Sequence, residues 1–236
     1  MKKIIILGTA HLDSTPGKCS PNGKFREAVY SRNICADVKT LLEQSGYTVL
    51  YDYEPLSPMP EWTAARKRLG YQKGEQAMEL AHRVKVVNNI CRQYGAANCL
   101  YVSIHVNAAG SDGKWHGAGG WCAITSVGQT NADSLAECFY DAAFTHLRPY
   151  IDYLYEGKRK GEYTSAQTPF RMDRSDGDRD LEQNLYVLRH TACPAVLTEN
   201  LFQDNILDVA YLTSDAGRQA IIRLHVEGIL QYCQNH

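Results

Sequence analysis

The chain has 236 residues, 44% of them hydrophobic, and a formal net charge of −1 at pH 7. That length allows one large domain or two small ones, and the apolar fraction supports a sizeable core. The charge balance leaves no basic footprint for nucleic acid and no polybasic stripe for a membrane surface, and no run approaches the ~18–20 apolar residues of a membrane span.

The start, "MKKIIILGTAHLD", has an apolar run too short for a secretory signal and lacks a small-residue cleavage site, so Ile4–Gly8 is expected to be the first strand. A polar loop rich in Gly, Pro, Asn and Ser follows from His11 to Phe25. From Glu27 the spacing of Ile34, Val38, Leu41 and Leu42 predicts a helix that Gly46 stops, and Tyr47–Tyr51 reads as a second strand. The stretch Glu54–Gly74, with its prolines and the basic run "ARKRLG", is expected to be a loop with a solvated charge run. Ala77, Leu80, Ala81, Val84, Val87, Cys91 and Tyr94 mark an amphipathic helix that ends at Gly95.

Leu100–Val106 then reads as a buried strand carrying His105 near its end. "GSDGKWHGAGG" is a loop and "WCAITS" a further strand; Asn131 is expected to cap a helix through Leu135, Ala136, Phe139 and Ala143. Residues 149–180 are polar and Tyr-rich and read as an insertion, either a solvated loop or the wall or lid of a cleft. Ala195–Thr198 is a late strand, and Ser214 opens a closing helix through Ile221, Leu224 and Ile229. Strands alternating with helices predict a single α/β domain over residues 1–236, with a mostly parallel sheet and helices on both faces. There is no internal repeat and no domain-sized linker.

The eight cysteines form no C-x-x-C pair, which argues against a Cys-rich structural zinc site. Most fall in predicted strands and helices, where a free thiol behaves as a small hydrophobe. The pattern suits synthesis in a reducing compartment and leaves a disulfide open.

In open α/β sheets ligands bind outside the carboxyl ends of the strands. His11 follows the first strand, His105 ends the third and Glu199 follows the late one; Glu27 sits in the first turn of the helix after the His11 loop. Taken alone, His105 reads equally as a buried ring bonded to a carbonyl. Two histidines and a carboxylate leave a fourth tetrahedral position open on zinc, and a second glutamate is available as general base. No short zinc motif such as H-E-x-x-H is present.

The segments "SIHVNA" (Ser103–Ala108) and "PAVLTEN" (Pro194–Asn200), with His11 after the first strand, Glu27 at a helix start and the Arg83/Asn88 pair, resemble the zinc-dependent N-acetylmuramoyl-L-alanine amidases of the type-3 family. The likeness runs from Leu7 to the last helix. It departs at the first turn, where that family usually has "GHGG" and this chain has "TAHLDSTPG". The resemblance implies a phosphorylase/hydrolase-like fold, one Zn2+ held by His11, Glu27 and His105, and Glu199 as the catalytic acid–base. It implies hydrolysis of the amide between N-acetylmuramic acid and L-alanine of the peptidoglycan stem peptide. Asn107 and His116 are candidate substrate contacts; Arg83 is expected on a solvated face, and His82, His146, His190 and His225 in structural or surface roles. A peptidoglycan or muropeptide substrate, no nucleic acid, a monomer and action on the cell wall outside the cytoplasm are expected. Export then falls to another route or to a leader removed from this chain. A carboxypeptidase-like zinc peptidase and a silent wall-binding relative are the competing readings, and both a phage lysin and a bacterial remodelling enzyme fit.

Overall fold

The computed structural model describes residues 2–159 and 167–236. Strands β1 (Ile4–Thr9), β2 (Thr48–Tyr51), β3 (Cys99–Asn107), β4 (Gly119–Thr125), β5 (Gln167–Phe170), β6 (Leu181–Glu182) and β7 (Ala195–Phe202) build one sheet in the order β2-β1-β3-β7-β4-β5, with β6 beside β4. Every pairing is parallel except β4 against β7. This is the α/β architecture that the alternation of strands and helices predicts.

The two faces of β3 sort the core. Leu100, Val102, Ile104 and Val106 point into the larger cluster, under helices α1 (Glu27–Gln44), α4 (Asp133–His146) and α8 (Asp215–Asn235). Helix α1 supplies Ile34, Cys35, Val38 and Leu42, the stripe seen in the sequence. Cys99 and Tyr101 point the other way, against Val84, Val87 and Cys91 of α3 (Ala77–Tyr94) and Val187 and Leu188 of α6 (Tyr186–His190). With a repeat of two along the strand, Ser103 and His105 fall on that second face. There the apolar cluster gives way to polar residues, so the ring that looks misplaced in a core strand points into a cleft.

Packing of α8 on α4 depends on one small residue. A Cβ at Gly228 would sit 2.9 Å from Cδ1 and 3.1 Å from Cγ of the Phe139 ring, and 3.2 Å from the Phe139 Cα. Gly228→Ala is therefore expected to cost about 1–3 kcal/mol of stability by overpacking, despite the better helix propensity of alanine. Thermal unfolding checks this; an unchanged or raised midpoint would show that the helices can separate without loss.

His225 on α8 has the structural role expected of it. Its Nδ1–H donates to Ile221 O at 2.7 Å and its Nε2 accepts from the Thr198 hydroxyl at 2.8 Å, in a fully buried site. Burial pushes its pKa down to about 4. A depressed folded-state pKa means the contribution is present above the unfolded value of ~6.5 and lost as pH falls toward 4. Denaturant midpoints measured from pH 7 to 4 should fall in wild type and fall less steeply in His225→Gln. Parallel curves would remove His225 from the acid sensitivity.

Several expectations need correction. Glu54–Gly74 is not all loop: α2 (Pro60–Gly70) runs through it, burying Trp62 and Ala65, with Pro60 at the first helical position. Proline is suited to that position because its missing N–H would have no helical partner there. Trp62 packs tilted against Tyr53 and edge-on to His82, at 5.0 and 5.3 Å between ring centroids. Asn131 does not cap α4; the helix begins after Ala132, and the backbone N–H and hydroxyl of Thr130 both donate to the Asp133 carboxylate at its start.

Residues 149–180 carry more structure than a solvated loop. Helix α5 (Arg148–Arg159) buries Tyr150 and Leu154 in the larger cluster, and β5 extends the sheet beside β4. Arg179 pairs with Glu137 and Asp141 of α4. Residues 160–166 of this stretch lie outside the described residues. Among the described residues no helix is long and apolar enough to cross a membrane, and all eight cysteines are free thiols.

Candidate metal centre

Three elements deliver the polar cluster. His11 lies two residues beyond β1, Glu27 opens α1, and His105 is near the end of β3. One ligand atom from each, two ring nitrogens and a carboxylate oxygen, lie within 4.8 Å of one another. Glu27 Oε1 is 3.1 Å from His105 Nδ1 and 3.5 Å from His11 Nε2. Ligands of a tetrahedral zinc bound at ~2.0–2.1 Å are separated by roughly 3.4 Å, so these spacings suit that ion.

The protonation states suit it too. Burial pushes His105 down to about 4 and lowers His11 in the same sense. Both shifts favour the neutral ring that metal ligation requires. Burial opposes ionisation of Glu27, yet His11, His105 and Lys18 together hold its carboxyl well below the usual range. Its place at the first turn of α1 adds the favourable end of the helix dipole. Glu27 Oε2 is buried without a hydrogen-bond partner, with Lys18 Nζ 3.7 Å away. The second nitrogen of His105 meets Ser103 Oγ at 3.1 Å, which fixes the ring's orientation.

The backbone is bent to make this site. His11 has φ +47° and Leu201 has φ +64°, the two non-glycine residues with positive φ among those described. The left-handed region costs a non-glycine residue roughly 1–2 kcal/mol. Leu201 marks a bulge where the pairing of β3 with β7 slips between His105 and Asn107. Bulges re-aim side chains beside functional sites.

Glu199 is inside β7, not beyond it, and is the register partner of His105. Neighbouring strands place such partners side by side on one face. Burial, then the Glu27 carboxylate, push Glu199 up to about 8, and its Oε2 is buried without a hydrogen-bond partner. An orphan carboxylate oxygen beside two neutral imidazoles is what a site built around an additional group presents.

A cleft of about 250 Å3 opens beside the triad, lined by His11, Lys18, Glu79, Arg83, Tyr186 and Glu199 among others. Lys18 also borders a second groove of about 350 Å3 that includes Lys114 and Gln203. Among the described residues of 149–180, none lines the first cleft, so they do not form its lid. Gln183, Leu185, Tyr186 and Val187 line it instead.

Arg83 corrects the expectation of a solvated face. It is 3% exposed, with Nη1 at 2.8 Å from both Asp52 oxygens and Nε donating to Glu79 Oε1 at 3.0 Å. Asn88, five residues on, accepts from Ala192 N and donates to His190 O, each at 2.8 Å, tying α3 to the segment before β7. The i,i+4 spacing of Glu79 and Arg83 was the available signal. Lys18, Gln76, Glu79 and Tyr186 line the cleft without a sequence signal, because nothing local in a sequence says which loop folds over a strand end.

Asn107 and His116 are not among the residues lining the cleft. Asn107 Oδ1 accepts from Ala108 N at 2.8 Å, and the His116 ring pairs with Asp112 at 2.8 Å while the His116 backbone N–H donates to Asp204 O.

The family model for N-acetylmuramoyl-L-alanine amidases matches residues 5–231. The chain belongs to the N-acetylmuramoyl-L-alanine amidase family. It is 52% identical over 46 residues to the N-acetylmuramoyl-L-alanine amidase CwlM of Bacillus licheniformis, a stretch covering 20% of this chain and 18% of that one. It is 30% identical over 132 residues to an endolysin of Bacillus phage SPP1, covering 56% of this chain and 39% of the endolysin. The match thus spans less than half the length of either relative. Among solved structures, the CwlD amidase of Clostridioides difficile, determined in complex with the GerS lipoprotein, superposes with a TM-score of 0.69 at 21% identity over 100% of both chains. The catalytic domain of CwlV from Bacillus (Paenibacillus) polymyxa gives 0.62 at 18% identity over 98% of both. These likenesses show that the chain shares their fold.

Proposed function

We propose that this amidase is a zinc-dependent peptidoglycan hydrolase that cleaves the amide between N-acetylmuramic acid and the L-alanine of the stem peptide. The observation that carries it is the register of Glu199 with His105, next to the cluster of His11, Glu27 and His105. In this reading His11, Glu27 and His105 hold the ion and Glu199 does not. Zinc at such a site supplies a Lewis acid and lowers the pKa of water toward ~7.

The chain's own groups do the rest. Glu199 takes the proton of the attacking water and hands it to the departing alanine nitrogen, one residue serving both transfers. A carboxyl whose affinity for protons is raised by burial is suited to that return delivery, and the positive charge of a bound dication would lower that affinity and favour the ionised form that the first transfer needs. Ser103 fixes the His105 ring, and the Arg83–Asp52 pair braces the end of β1, where Asp52 Oδ1 also accepts from Thr9 N at 3.1 Å. Lys18 stands between the two grooves, so a substrate crossing the triad would pass its ammonium. We infer action on the cell wall, outside the cytoplasm, by a monomer; muropeptides are the soluble substrates.

Mass spectrometry of digested peptidoglycan tests this. New L-alanine N-termini with intact sugars are expected. Free amino acids released from the peptide end would favour the carboxypeptidase reading, new reducing ends a glycosidase, and no product a silent wall binder.

A further inference from the structure

We propose that Arg32 is a positioning residue for the His11 ligand, a guanidinium clamp that sets the first turn of this chain; the inference rests on His11 being a metal ligand. Arg32 lies on α1, and its guanidinium meets five backbone carbonyls. Nη2 donates to His11 O at 3.0 Å and Pro55 O at 2.8 Å. Nη1 donates to Ala10 O at 3.0 Å and Ala28 O at 2.9 Å, and Nε to Glu54 O at 3.0 Å.

The location gives this network its meaning. Ala10 and His11 are successive residues, and His11 is in the left-handed region at φ +47°. That conformation turns two consecutive carbonyls toward one point. Without Arg32 their dipoles would repel, Ala10 O would lack a partner, and His11 O would keep only the long 3.4 Å contact from Arg83 Nη2. A planar fork with five N–H donors in fixed directions satisfies both at once, which a single ammonium cannot do. The turn has no glycine at His11 or on either side of it to accept the conformation without help.

The same guanidinium holds Ala28 O, the residue after Glu27. Arg32 therefore joins the two segments that carry His11 and Glu27 and fixes their separation. Ser31, its neighbour on α1, adds a second tie: its hydroxyl accepts from Ala10 N at 2.8 Å and donates to Ile104 O at 2.6 Å, next to His105. Arg83 Nη2 also approaches His11 O, at 3.4 Å, but Asp52 and Glu79 hold most of that side chain.

The test is zinc affinity, measured by competition with a chromophoric chelator, on wild type, Arg32→Lys, Arg32→Gln and Arg26→Gln. Each protein is first shown folded by far-UV circular dichroism, and the Co2+-substituted forms are compared by visible absorption. Simple Coulomb reasoning says that removing a cation near a metal site tightens metal binding. Positioning predicts the opposite sign. Arg32→Gln and the charge-conserving Arg32→Lys should both bind zinc roughly 10–100-fold more weakly, the range for residues that orient a ligand. Both should alter the Co2+ ligand-field bands, whereas Arg26→Gln, which loses a contact to Asp13 O on the exposed surface, should not. Should Arg32→Gln fail to fold, Arg32→Lys, which keeps charge and bulk, decides alone. Wild-type affinity and an unchanged Co2+ spectrum in folded Arg32→Lys would overturn the clamp while leaving the metal centre intact. A wild-type protein that binds no zinc would overturn the metal centre itself, and the clamp with it.

Discussion

Glu199→Gln is expected to keep the fold and the zinc and to lose turnover by ~10²–10⁴-fold, the usual contribution of general acid–base catalysis. The amide is close to the carboxyl in shape, and Glu199 Oε2 has no hydrogen-bond partner for the substitution to break. Substrate binding should change little, so the loss falls on kcat. Glu27→Gln separates the roles. Its carboxylate is the one held ionised by its neighbours, and Oε1 also accepts from Val106 N at 3.0 Å. Removing that charge should weaken zinc binding itself, with activity partly restored by added metal. Zinc content and turnover measured on both variants give the answer. If Glu199→Gln lost zinc and Glu27→Gln kept it, the two assignments would have to be exchanged.

Arg83→Met is expected to destabilise the protein by about 3–5 kcal/mol, as when one partner is removed from a buried ion pair. Burial alone would lower the pKa of this guanidinium, but Asp52 and Glu79 more than reverse that. Without Arg83, two carboxylates at 2% and 3% residue exposure lose their counter-charge. Asp52 also accepts from Tyr101 Oη at 2.9 Å, so the damage would reach β3 below Ser103 and His105. For a chain of this size the unfolding midpoint should drop by roughly 6–20 °C. Arg92→Ala on the same helix should change stability by no more than ~0.5 kcal/mol, since Arg92 is exposed. Similar small effects from both variants would return Arg83 to the solvated face where the sequence alone puts it.

The contrast between those two arginines shows what could be read beforehand. The meeting of His11, Glu27 and His105 was legible because strand ends converge in an α/β sheet, and each residue sits at such an end or on the helix that follows. Glu199 reads in the sequence as following its strand but lies inside it, because β7 continues past it to Phe202 around the Leu201 bulge, and no sequence period announces a bulge. Arg83 is polar on an amphipathic helix; only the fold reveals Asp52, from the end of β2, waiting opposite. Helix α2 was hidden because its proline and basic run look like loop punctuation, although proline is favourable at a helix start. Helix α5 was hidden because its core contacts, Tyr150 and Leu154, are dispersed among charges. The cleft walls from α3 and residues 183–187 come from segments remote in the chain, and hydrophobic periodicity records burial, not which remote loop lines a pocket.

The most direct test of the account is metal content against turnover on peptidoglycan. Protein stripped by a chelator should be folded and inert, and activity should rise linearly with added Zn2+ to a plateau at one equivalent per chain. His105→Ala should neither bind that equivalent nor respond to it. Full hydrolytic activity in a preparation shown by elemental analysis to hold no metal would contradict the account.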